Sequence, residues 1–296
     1  MQHYDVAIIG GGPAGLTAAM TLSRSLRRVA VLESPADPRN ACSHGVHGIL
    51  GLDGVSPAEY RGRAWRDLAR YGMAELLETE AADLVPGPGE EDGFEVVAEH
   101  GGPLWARRVL LATGMTDVLP ELEGFRECWG ATVIHCPFCS GWENRERAWG
   151  VVTADPEFAA KAPRAFAAWS DDVIVFTDGA APEGDPGVET VTGRIRGLRH
   201  DGGDLRAVEL DDGAVVERGT LLWQLDQRPV PLVSGLARNR GLVLREDCYV
   251  KTDGSCRTSV PGLYAAGDTI TETQGAIESA ASGSTAAFQI IEDETA

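Results

Sequence analysis

An apolar run at residues 4–9 passes straight into Gly10-Gly11-Gly12-Pro13-Ala14-Gly15, and an apolar helical pattern begins at Leu16. Gly10, Gly12 and Gly15 occupy the G-x-G-x-x-G positions. The first permits a tight turn, the second lets backbone approach a pyrophosphate, and the third lets helix and strand pack closely. The whole stretch, Pro13 and Ala14 included, is a cofactor-binding candidate, since the helix N-terminus offers amide donors and a positive dipole end to phosphate. A second apolar run at residues 29–32 ends at Glu33, placed to accept hydrogen bonds from a ribose. A glycine-rich turn alone would mean little. Strand, turn, helix, strand and acid in this order read as a βαβ unit that binds a dinucleotide.

FAD and NAD share that fingerprint, and the far end of the chain separates them. Residues 260–268 form a short buried strand pattern ending in Gly267-Asp268, followed by a helical segment at roughly residues 275–291. Ala112-Thr113-Gly114 similarly closes an apolar strand at residues 109–111. Together these resemble the flavin-domain signatures of two-dinucleotide-binding flavoproteins. That resemblance implies FAD as cofactor, Asp268 at its ribityl-phosphate region, and a helix N-terminus, after Gln274 and Gly275, aimed at the isoalloxazine. A helix-capping role for Asp268 is compatible with this. Residues 39–48 are an irregular polar loop in which Arg39, Asn40, His44 and His47 are candidate cofactor contacts. The two histidines read equally as ordinary loop residues. No ligand set elsewhere makes them a metal pair.

At 296 residues the chain is too long for one small domain and fits two, or one interrupted by another. Its formal charge of −19 leaves no basic cluster, with Lys161 and Lys251 as the only lysines. Nucleic acid and anionic membrane are therefore poor partners. No apolar run reaches membrane-spanning length, and the expected location is a reducing cytoplasm. There, Cys42, Cys128, Cys136, Cys139, Cys248 and Cys256 do not read as a disulfide framework.

Cys136 and Cys139, within His135-Cys136-Pro137-Phe138-Cys139-Ser140-Gly141-Trp142-Glu143, are instead a redox pair or half a metal site. Zinc would need a second such pair, and none exists, so no metal is expected. The other four cysteines read as buried small residues, with Cys42 to be watched because of its loop. His135 reads as a packed strand residue or a proton carrier, and Phe138 and Trp142 as core aromatics or pocket walls.

The middle of the chain carries a second nucleotide-fold pattern that has lost its key residues. A strand at residues 149–152 is followed by Thr153-Ala154-Asp155-Pro156-Glu157-Phe158, without glycine at the phosphate turn and with two acids in its place. The next strand, residues 173–176, ends in Thr177-Asp178-Gly179, with no arginine or lysine for an NADP 2′-phosphate. The expectation is a Rossmann-like scaffold without a working nicotinamide site.

Over nearly its whole length the chain resembles the low-molecular-weight thioredoxin reductase family. Within it, the chain is most similar to the FAD-dependent dithiol oxidases of the holomycin and gliotoxin type. Trp129-Gly130, the stretch from His135 to Cys139 and Gly141-Trp142-Glu143 carry that likeness, with Arg39-Asn40, Ser43-His44 and His47-Gly48. The resemblance implies an α/β fold of two Rossmann-like domains, an FAD domain at residues 1–116 and 241–296 with an inserted domain at residues 117–240, and a homodimer. It also implies oxidation of a small-molecule dithiol to a disulfide, with O2 reoxidising the flavin to give hydrogen peroxide. Cys136 would face the substrate and Cys139 the flavin.

Ser140 departs from the acid or histidine the family carries there, so either Glu143, His135 or His44 carries the proton, or the substrate arrives as thiolate. Thr271-Glu272-Thr273-Gln274 also departs from expectation at the final helix. Two other readings stay open: a disulfide reductase fed by ferredoxin or an atypical nicotinamide site, and a non-enzymatic redox sensor.

Overall fold

The computed structural model describes residues 1–87, 93–180 and 188–295. In chain order, β1 (Gln2–Ile9) leads through the glycine turn to α1 (Pro13–Arg24) and β2 (Val29–Glu33). After a short 3₁₀ turn, Arg39–Cys42, come α2 (Pro57–Ala69), β3 (Ala74–Glu78), β4 (Ala81–Pro86), β5 (Phe94–Ala98), β6 (Leu104–Leu111) and β7 (Met115–Asp117). The middle of the chain supplies α3 (Phe125–Cys128), β8 (Val133–Ile134), α4 (Pro137–Ser140), β9 (Trp149–Val152), α5 (Pro156–Phe166), β10 (Val173–Phe176) and β11 (Thr190–Val191). It continues with β12 (Ile195–Asp201), β13 (Asp204–Leu210), β14 (Val215–Glu217) and β15 (Thr220–Trp223). The chain closes with β16 (Gln227–Pro229), α6 (Pro231–Asn239), β17 (Leu263–Ala265) and α7 (Ala276–Thr295).

Two compact units result. One comprises Met1–Ala41, Gly48–Thr116 and Gln227–Ala296, the other Cys42–His47 and Asp117–Asp226. The sequence reading sets the second break after residue 240. In the structure α6 goes with the first unit, because Leu232, Val233 and Leu236 are buried in that unit's core. Among the described residues no helix is long and apolar enough to cross a membrane.

The first unit is built on a seven-stranded sheet ordered β3-β2-β1-β6-β5-β4, with β17 also paired to β6. Strands β1, β2, β3, β6 and β17 run parallel, while β4 and β5 pair antiparallel. Both faces are covered. Along β1, Ala7 and Ile9 enter one core and Val6 and Ile8 the other, which is why residues 6–9 of this strand are all apolar. Register then fixes the site: Ile9 lies opposite Leu32 and Leu111, and Ala265 also lies opposite Leu111. The residues just past these ends, Gly10, Glu33, Ala112 and Ala266, therefore emerge together at the carboxyl edge.

The second unit has a parallel sheet ordered β11-β10-β9-β15-β8 and an antiparallel sheet β12-β13-β14. Val152 is opposite Phe176 and Trp223, and Leu222 is opposite Ile134. Thr153, Thr177 and the turn holding the cysteine pair thus leave the same carboxyl edge, where open α/β sheets bind their ligands.

Candidate active site

In the first unit the glycine turn does what its spacing predicts. Gly10 has φ +110°, and a side chain there would overlap the carbonyl oxygen of Ala112. A side chain at Gly15 would overlap the carbonyl of Gly10, so α1 could not approach β1. Gly12 differs: its φ is −77° and a Cβ there would point into open space. That space opens where a pyrophosphate would lie against α1, whose N-cap has no side-chain partner. The residues present fit a dinucleotide.

Glu33 ends β2 with its carboxylate against Gly11 and accepts a 2.9 Å hydrogen bond from Arg61 of α2. Nothing in the sequence pattern singled out Arg61. Asp268 follows Gly267 (φ +80°), accepting from Ser279 Oγ at 2.7 Å and Arg39 Nη1 at 3.2 Å. Arg39 also donates to Gln274 Oε1 at 2.6 Å. Thr113 Oγ1 lies 3.5 Å from Thr269 Oγ1, and Gly114 has φ +63°. These expected residues share one unit with the glycine turn, as do Asn40 and Gly275. His44 and His47 do not, for Cys42–His47 clusters with the second unit.

In that second unit, Cys136 is the N-cap of α4 in extended conformation, and Pro137 supplies the fixed φ of its first turn. Cys139 lies one turn on, with its Sγ 3.0 Å from that of Cys136. A small rotation would reach the ~2.05 Å of a disulfide bond. The turn is held from behind by Asn144, which is 2 % exposed. Its amide donates to the carbonyls of Ser140 and Ala131 at 3.0 and 2.9 Å, and it accepts from Thr220 Oγ1 at 3.0 Å. Asn144 escaped the sequence reading because a lone asparagine beside a motif carries no periodic or spacing signal. A side chain at Gly141 would overlap the carbonyl of Pro137.

Phe138 and Trp142 are exposed, at 85 % and 67 %, which corrects the core alternative for both. Phe138 meets Trp169 edge-on at 5.8 Å, and the Arg145 guanidinium lies 4.1 Å over Trp142. Half-buried His135 follows β8, its ring 5.9 Å from Trp129. Glu143 Oε1 lies 3.6 Å from His47 Nε2, so the loop at Cys42–His47 brings an imidazole to the cysteine turn's acid. Cys42 and Cys248 are exposed rather than buried, and Cys248 has φ +69° at a turn. Cys128 and Cys256 are buried, and burial pushes the Cys256 thiol up to about 11, leaving it inert near neutral pH.

At the second unit's would-be nucleotide turn, the Asp155 carboxylate accepts from the backbone N–H of Glu157 at 2.9 Å and of Phe158 at 3.3 Å. These are the α5 amides that a phosphate would use, so a fixed negative charge already caps them. Asp178, at φ +48°, accepts from Ile195 N at 2.7 Å, which ties it to β12.

The sequence matches the pyridine nucleotide-disulphide oxidoreductase family over residues 4–153 and 183–287. It is 32 % identical to thioredoxin reductase tcpT of Claviceps purpurea, over 89 % of this chain and 86 % of that protein. With thioredoxin reductase aclD of Aspergillus oryzae it shares 32 % identity over 97 % and 95 %. The crystal structure of HlmI superposes with a TM-score of 0.89 at 33 % identity, covering 98 % of this chain and 92 % of that one. A putative thioredoxin reductase TrxB from Bacillus anthracis gives 0.89 at 27 % identity, covering 99 % and 98 %.

Proposed function

This chain belongs to the pyridine nucleotide-disulphide oxidoreductase family, as a thioredoxin reductase-like flavin thiol/disulfide oxidoreductase, and from that premise we propose that it oxidises a small-molecule dithiol to a disulfide. The family typically binds FAD, and the open berth at Gly12 supports FAD as the cofactor here. The observation that carries the direction of the reaction is Asp155, whose carboxylate occupies the helix amides a nicotinamide dinucleotide would need. Because those amides are already capped, electrons in this reading enter from the dithiol.

Starting from a Cys136–Cys139 disulfide, a substrate thiolate attacks Cys136 Sγ, and Cys139 leaves as thiolate. The second substrate thiol, after losing its proton, attacks the substrate sulfur of this mixed disulfide. Product disulfide departs and Cys136 is released as thiolate. The cysteine pair now holds two electrons. FAD, which Gly12 and Asp268 would hold, would supply the two-electron acceptor for that pair, with O2 and two protons as the final acceptor giving hydrogen peroxide. Loss of that pair re-forms the Cys136–Cys139 disulfide, and the exchange steps with substrate are fastest when the attacking thiol's pKa lies near ambient pH.

Two protons leave the substrate per turnover, and Ser140 is a poor carrier for them. Glu143, four residues after Cys139 and 3.6 Å from His47, is the carrier this reading favours, with His135 and His44 the other candidates. Exposed Phe138 and Trp142 give an apolar small molecule a surface next to the sulfurs. On the resemblance alone, the partner is a second copy of this chain in a reducing cytoplasm.

The test follows oxygen uptake and peroxide when yellow protein meets a dithiol such as dithiothreitol in air, without NADPH. Turnover that vanishes in Cys139→Ser supports the oxidase. The names of the relatives favour a reductase instead, and flavin bleached within seconds by NADPH would establish that reading.

A further inference from the structure

Gln274 is expected among the cofactor contacts, yet its side-chain amide is fully engaged with protein. Its Oε1 accepts from Arg39 Nη1 at 2.6 Å and from Gln227 Nε2 at 3.1 Å. Its Nε2 donates to Gln227 Oε1 at 2.7 Å and, at the limit of reach, to the Tyr249 hydroxyl at 3.5 Å. A primary amide has two donors and two lone pairs, so none is left for a ligand. Tyr249 completes a ring of three by donating to Gln227 Oε1 at 3.0 Å. It is 8 % exposed, and burial raises its phenol pKa, so near neutral pH it is a donor. The ring joins the loop before α7, the first residue of β16 and the loop before β17. Beyond it, the same Arg39 nitrogen reaches Asp268 Oδ2 at 3.2 Å.

We propose that Gln227 and Tyr249 are positioning residues for the cofactor: they lock the Gln274 amide, and through it hold Arg39 against Asp268 before the cofactor arrives. This rests on the FAD reading above. A binding group whose partners already fix it loses less freedom on binding, so affinity rises without a new contact to the ligand. Gln227 and Tyr249 stand outside every glycine or Gly-Asp signature, and only the fold brings them to the cluster.

The test is FAD titration of apoprotein for the full chain and for Gln227→Glu and Tyr249→Phe. Glutamate at 227 keeps the shape and still accepts from Tyr249 and Gln274, but it cannot donate to Gln274 Oε1. Phenylalanine at 249 removes a single hydroxyl. The expected result is an FAD Kd about tenfold higher in each variant, as for loss of one buried hydrogen bond, with faster FAD release and a changed flavin visible band. A purely structural ring would lower the apoprotein melting temperature and leave Kd and the band where they were, and that outcome overturns the proposal. If Gln227→Glu does not fold, Tyr249→Phe decides alone. Failure of wild-type apoprotein to bind FAD would overturn the flavin reading, and this inference with it.

Discussion

Gly10 and Gly12 stand two positions apart and have opposite tolerances. At Gly10 the backbone is left-handed and the carbonyl of Ala112 fills the space of a Cβ, so Gly10→Ala should prevent folding. At Gly12 the backbone is ordinary and the space is open. Gly12→Ala should therefore fold with unchanged or slightly raised apoprotein stability, yet purify colourless, with FAD affinity down at least about tenfold by titration. A variant that still binds FAD normally would mean the open space is not the phosphate berth. Asn144 gives the matching case in the second unit. Asn144→Ala strips hydrogen bonds from two backbone carbonyls and from Thr220. It should cost about 1–3 kcal/mol and slow re-formation of the Cys136–Cys139 disulfide, read by thermal melting and by thiol titration after an oxidant pulse.

At the scale of elements, α5 and α7 are held by acids at opposite ends. Asp155 caps α5, and Asp155→Ala should lower stability by about 1 kcal/mol. Asp155→Asn should keep the cap and match wild type in thermal melts, because either side chain accepts from the same amides. Near the end of α7, Asp293 accepts from Arg257 Nε and Nη2 at 2.8 and 2.6 Å, from Tyr264 at 2.6 Å and from Gln289 at 3.0 Å. The Arg257 guanidinium, helped by these hydrogen bonds, lowers its carboxyl from 3.8 to about 2. A depressed carboxylate pKa contributes stability that is complete above about 4 and disappears as pH falls towards 2. Because Arg257 is partly exposed, solvent keeps the gain near 1 kcal/mol. Asp293→Asn should therefore melt about 2–4 °C below wild type at pH 7. The gap should narrow between pH 4 and pH 3; a gap constant over that interval would assign the loss to packing.

For the whole molecule, the first unit carries its own two-sided core from residues on both sides of the second. Strands β7 and β16, where the chain leaves and returns, pair with each other. Joining them by a short turn in place of residues 118–225 should give a protein that folds and binds FAD but has no dithiol turnover. Absorbance of the bound flavin and oxygen uptake would read the two properties separately. A colourless product would show that the cradle needs the excised residues.

Features set by a few consecutive residues were legible in the chain itself: the strand-turn-helix around Gly10, the Cys136–Cys139 spacing, the missing glycine before α5. Their geometry is local, because strand and helix periods or a single turn dictate it, and Asp155 needed only the adjoining amides to become a cap. What stayed hidden were side-chain pairings between residues far apart in the chain. Arg61 with Glu33, His47 with Glu143, Gln227 with Gln274 and Tyr249, and Asn144 with Thr220 join residues 22 to 96 positions apart. Such side chains follow no period, and in the sequence a polar residue that will be paired looks like any other that faces water. Only the register of the parallel sheets, which gathers distant strand ends at one edge, decides which of them meet.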